Sequence, residues 1–261
     1  MAVIKQEWKW HLKLLRGWLI AIVLTIAVFM SFFPSFNEGM NDLIDMLHSF
    51  PVEFLRGFGL DIESFGTYSG FLAYIYTFIQ LLLGIVAVQS GMMLMGREKL
   101  SKTSDFLFSK PISRNSLWTQ KNTAGLLGIL IINTIIAITV YGIAAAQGMT
   151  FEPAIRDILL SSVIVQFIFF FLGGLLANMK PRLRTVTGPA SAIGLGFYFL
   201  LVISRLLEED ALSKLSIYGL FDTMQVQQKG IDSLNLTIAF ILCALLAVIS
   251  YRHYTRMDVE I

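Results

Sequence analysis

Six stretches of this 261-residue chain, 17–37, 64–96, 122–151, 158–179, 185–204 and 233–251, contain no Asp, Glu, Lys or Arg. Each can cross a hydrocarbon layer of roughly 30 Å, which takes about 20 helical residues. A spanning segment must satisfy its own backbone groups, and the period-two alternation of a barrel strand is absent, so helices are the spanning form. Composition agrees: 56% of residues are hydrophobic, 15% are charged and the mean hydropathy is +0.70, beyond what a water-soluble core requires. The expected fold is all-α, a polytopic membrane protein with six transmembrane helices. Residues 1–261 read as a single membrane domain, with no linker, fixed-period repeat or low-complexity tract.

The connecting segments orient the bundle, because cytoplasmic loops collect Lys and Arg. With the N-terminus inside, the inner segments hold 15 of the 20 basic residues, and the outer ones hold five together with 13 of the 18 acidic residues. Both termini are therefore expected in the cytoplasm. The net charge of +2 reflects this topology signal rather than a binding stripe, so no nucleic-acid partner is expected. The first apolar run ends in SFFPSF without a small-x-small site, which argues against a cleaved signal peptide.

Residues 1–16 place Ile4, Trp8, Leu12 and Leu15 on one helical face and Lys5, Lys9, Lys13 and Arg16 on the next. This predicts an N-terminal interfacial amphipathic helix that turns into the bilayer at Gly17. The alternative is a cytoplasmic extension of the first span with snorkelling lysines. In the first outer loop Leu43, Ile44, Leu47 and Phe50 recur at helical spacing before Pro51, which predicts a short surface helix. The last outer loop, 205–232, is long and mixed, with Gly219 and Gly230 as turn points.

The charge-free spans exclude several functions. Ion-coupled carriers place ionisable groups inside the bilayer; here His11, His48 and His253 all read as outside the spans. Cys243 stands alone in the sixth span, so it makes neither an internal disulfide nor a zinc cluster. Gly91 and Gly96 have the spacing of a phosphate loop, but Arg97 and Glu98 replace the required Lys and Ser/Thr, so no ATP site is expected. Gln80, Gln89, Asn133 and Gln166 are the polar side chains left inside spans; they line a pathway or, with the greater weight, bond between helices. Small-residue steps from Gly173 to Ala177 and from Ala192 to Gly196 read as close helix contacts.

The basic loop 97–121, REKLSKTSDFLFSKPISRNSLWTQK, separates the second and third spans. On a helical wheel Leu100 and Leu107 share one side of residues 98–110, while Glu98, Lys102, Asp105 and Ser109 align on the other, flanked by Phe106 and Phe108. Pro111 ends the run. Such a helix either docks into a groove on a cytoplasmic partner or lies on the membrane surface.

This loop resembles the segment after the second span of ATP-binding-cassette (ABC) type-2 permeases, matching at Glu98, Thr103, Leu107, Ser109, Pro111, Ile112, Ser113, Arg114 and Lys121. The stretch LSIYGLFD at 215–222 and the ending RMDV at 256–259 are similar to two further segments of that family. Lys102, Ile217 and Met257 depart from its pattern. The resemblance implies the permease subunit of an ATP-driven exporter with no catalytic residue, cofactor or metal of its own. It implies two copies of a cytoplasmic ATPase that bind ATP and Mg, and a second permease chain, either identical or a similar paralogue. The implied ATPase-docking coupling helix comprises Glu98, Lys102, Thr103, Asp105, Phe106, Leu107 and Phe108. The expected location is a bacterial cytoplasmic membrane, and the cargo class is a peptide, an antibiotic or drug, or a lipid-like molecule. A rival reading is a non-transporting scaffold or sensor that holds a signalling partner with the same loop.

Overall fold

The computed structural model describes residues 2–39, 46–47, 49–101, 113–179 and 183–256. All regular structure among them is helical: α1 (Ala2–Ser31), α2 (Phe33–Glu38), α3 (Val52–Gly57), α4 (Ile62–Phe65), α5 (Tyr68–Ser101), α6 (Arg114–Ala146), α7 (Pro153–Met179), α8 (Thr187–Leu207), α9 (Asp210–Leu215), a 3-10 turn (Gly219–Phe221), α10 (Thr223–Lys229) and α11 (Ser233–Arg256). Six of them, α1, α5, α6, α7, α8 and α11, are long and apolar enough to span a membrane. The chain alternates direction through these six, so the start of α1 and the end of α11 share one face, called here the terminal face. The end of α5 and the start of α6 lie on that face too.

Burial separates the six into two classes. The most apolar windows of α5 and α7 are 78% and 67% buried, against 22% for α1 and 11% for α11. The first pair is the interior of the bundle, and the others present leucine, isoleucine and phenylalanine outward, as lipid demands. α5 and α7 run parallel and touch backbone to backbone. A Cβ on Gly91 would overlap the Phe170 carbonyl, and one on Gly173 would overlap that of Val88. Packing between spans rests on close approach rather than on a hydrophobic gradient, and glycine permits it. Gly91 thus has a packing role, in place of the phosphate-loop spacing it mimics.

Three expectations are corrected. No turn occurs at Gly17: α1 is one continuous helix from Ala2 to Ser31, as in the extended-span alternative to a separate interfacial helix. A single glycine costs a helix only about 1 kcal/mol relative to alanine, too little to break 30 residues of otherwise good helix. Residues Ala192 and Gly196 face outward, and Gly194 makes the contact with α5 at Ile85. His11, placed outside the spans by its sequence position, is buried against Gly128 of α6. The expected surface helix over Leu43 and Ile44 falls mostly outside the described residues; Leu47 is buried and Phe50 exposed, just before α3.

The segment 208–232 is not the surface loop its mixed composition suggests. It re-enters the bundle, burying Ile217, Tyr218, Leu220, Phe221, Asp222 and Met224. The Tyr218 hydroxyl donates to the Leu81 carbonyl at 3.2 Å, midway along α5, and occupies the space a Cβ on Gly84 would take. Its ring packs on Phe169 at 4.8 Å. Thr77 and Thr223 share a 2.6 Å hydroxyl bond. Gly230 ends α10 at a positive φ of 75°, as expected of a turn glycine, whereas Gly219 opens the buried 3-10 turn.

Candidate functional site: the stem of the α5–α6 connector

Residues 102–112 join α5 to α6, and Lys102, Thr103, Asp105, Phe106, Leu107 and Phe108 lie outside the described residues. Glu98 is described, and with its neighbours it forms a tightly bonded stem. The Lys121 side chain is wholly buried; its Nζ donates to Glu98 Oε1 and to the Leu94 carbonyl, each at 2.6 Å. A buried ammonium is tolerated only when paired and hydrogen-bonded, and both conditions hold. The pair ties the last turns of α5 to the first turns of α6.

Two more basic residues extend the clamp. Lys99 Nζ donates to the carbonyls of Ala177 at 2.9 Å and Asn178 at 3.2 Å, in the last turn of α7. Arg114 Nη1 donates to the Thr255 carbonyl at 3.1 Å, in the last turn of α11. Final carbonyls of a helix lack intrahelical donors and carry the negative end of the macrodipole, so cations there are doubly favoured. Trp118 of α6 meets Tyr251 of α11 edge-on at 5.3 Å, and Asn178 Nδ2 bonds Ser250 Oγ at 3.0 Å. Ser113 caps α6 by accepting from the Ser116 amide at 3.3 Å. The end of α5, the start of α6 and the ends of α7 and α11 are thereby joined to one another.

In the sequence, Lys99, Arg114 and Lys121 carry the topology signal, and Arg114 and Lys121 are also family matches; nothing there points to their bonds with helix ends. A cation one turn from the end of a span is the available signal, but it does not say which neighbouring helix receives it.

The four intraspan amides lie deeper and are engaged. Asn133 and Gln166 exchange reciprocal bonds of 3.1 and 3.0 Å between α6 and α7. Gln80 Nε2 donates to the Phe221 carbonyl at 3.4 Å, and Gln89 Nε2 to Thr187 Oγ1 at 3.2 Å. Gln80 thus reaches the re-entrant segment and Gln89 the start of α8.

No curated protein matches the chain. A family model does match, over residues 6–254, and its description is the C-terminal domain of the multidrug efflux system permease Rv1217c. That match spans nearly every described residue, including the stem, all six long helices and the re-entrant segment; the chain is a multi-pass membrane protein that belongs to this permease family.

Proposed function

We propose that the chain is the transmembrane subunit of an ATP-driven exporter of the ABC type-2 class, converting movement of a separate cytoplasmic ATPase into movement of its own helices. The observation that carries this reading is the stem. A connector whose two ends are bonded to four helix termini delivers a displacement to all of them together, whereas a loosely attached loop would absorb it. Linkage sets the requirement: the ATPase must bind the connector differently in its ATP-closed and open forms, or no free energy reaches the membrane.

In this reading the terminal face is cytosolic, consistent with the 15 of 20 basic residues in the segments on that side. Phe106 and Leu107 insert into the partner, which holds ATP and Mg. Two ATPase copies serve two permease chains, and the family's name favours drug-like cargo. Co-purification from the native host tests the assembly: the expected result is an ATPase subunit retained with the permease and lost on Asp105→Arg. A fully active preparation with no nucleotide-hydrolysing subunit would overturn it.

A further inference from the structure

On the face opposite the termini, three phenylalanines line one side of α3 and its flanks. Phe50, Phe54 and Phe58 stand four residues apart, and their ring centroids are separated by 5.7 and 4.8 Å along the row. The three are 40%, 48% and 42% exposed. Arg56 lies two positions from both Phe54 and Phe58, so it leaves the helix on the opposite side. There it holds Glu208, and both side chains of that pair are more than half exposed. α3 is thus two-sided, with a charged pair on one side and a ladder of rings on the other.

The level of the ladder is set by α8. Phe199, Ile203, Leu206 and Leu207 recur at helical spacing and are all exposed, a stripe along the outward side of this spanning helix. The stripe ends against α3: a Cβ on Gly57 would sit 2.9 Å from Leu206 Cδ2. Glu208 and Glu209 follow at once, both exposed. An apolar wall that stops at two carboxylates marks the edge of the hydrocarbon layer, and α3 lies at that edge. It is also fastened there. Leu55 is buried, Arg205 packs on Gly59, and Asp61 accepts from Gln228 Nε2 at 2.8 Å. Held by these contacts, α3 does not turn its rings inward.

We propose that the Phe50, Phe54 and Phe58 ladder is embedded in the phospholipid leaflet on that face, making α3 an interfacial anchor for the α3–α4 turn. The ladder continues the lipid-facing stripe of α8, while Arg56 and Glu208 remain on the water side, the arrangement of a helix lying in a membrane interface. Aromatic rings suit the boundary between headgroups and acyl chains. A water-soluble partner would have to cover the rings at a level that the bilayer already occupies. The inference rests on the spans alone, so it stands or falls separately from the coupling reading.

The test uses the full chain in phospholipid nanodiscs. Phe50→Cys, Phe54→Cys and Phe58→Cys are made singly in a Cys243→Ala background and labelled with a nitroxide. Gln225→Cys, at an exposed position of the re-entrant segment, is the water reference. Spin relaxation reads collisions with oxygen, which concentrates among acyl chains, and with a water-soluble nickel chelate. The expected result is a higher oxygen-to-nickel collision ratio at 50, 54 and 58 than at 225, with mobile spectra. A ratio equal to that at 225 would place the ladder in water and overturn the proposal. Low access to both reagents with immobilised spectra would mean that protein, such as a second copy of the chain, covers the rings, and would overturn it equally. Each position reads independently, so the failure of one variant to fold leaves the other two decisive.

Discussion

The two connectors that matter most here, one on each face, are fastened by different chemistry. The α5–α6 stem is held from outside the bundle's apolar interior: cations bond helix-end carbonyls, and the one buried pair, Glu98 with Lys121, sits where α5 and α6 leave the core. The re-entrant segment is held from within, by Tyr218 on Phe169, by Thr223 on Thr77 and by the Arg205–Asp222 pair that fixes it to α8. The first arrangement joins four helix ends to one another. The second fills space between helices and must be displaced if they separate. Under the proposed coupling, the first would be the grip at the driven end and the second a plug that opening displaces.

Substitutions can break that contrast, and the largest effect belongs to the stem. Glu98→Gln leaves Lys121 buried without its carboxylate and should cost about 3–5 kcal/mol, read as a lower thermal midpoint of the purified protein. Replacing both residues by leucine should recover most of that loss while still impairing transport; a double variant with normal transport would show that the pair only stabilises. Asp222→Asn should come next, at about 2–4 kcal/mol, because the Arg205 guanidinium keeps a little solvent access. Proteolysis within 208–232 should rise at the same time, with the terminal face unaffected. Thr223→Val removes one buried hydroxyl bond and should cost about 0.6–1.7 kcal/mol, the range for polar contacts between membrane helices. Smallest in stability is Phe106→Ala with Leu107→Ala, expected within about 0.5 kcal/mol of wild type, yet abolishing cargo-stimulated ATPase activity in the reconstituted complex.

The same contrast explains what the sequence displayed and what it hid. Six spans were legible because lipid allows no charge along them, a rule every stretch from 17–37 to 233–251 obeys. The re-entrant segment was not, because Lys214, Asp222, Gln225 and Lys229 give it the composition of a surface loop. Its burial depends on tertiary details such as the space at Gly84 that receives Tyr218. Gly17 looked like a boundary since lysines precede it and apolar residues follow, but that is a change of surroundings along one helix, not a break in it. Of the stem, Glu98, Arg114 and Lys121 stood out by their pattern. That Lys99 would reach α7 and Arg114 would reach α11 depends on which helix ends adjoin, and periodicity carries no such information.

The central claim is that force enters through residues 102–112 and is carried by the stem. The most direct measurement is ATP-driven transport in proteoliposomes containing the permease with its ATPase, comparing wild type with the Phe106→Ala/Leu107→Ala variant at matched incorporation and thermal midpoint. Transport should fall to background while the variant remains as stable as wild type. Transport at the wild-type rate by that variant would contradict it.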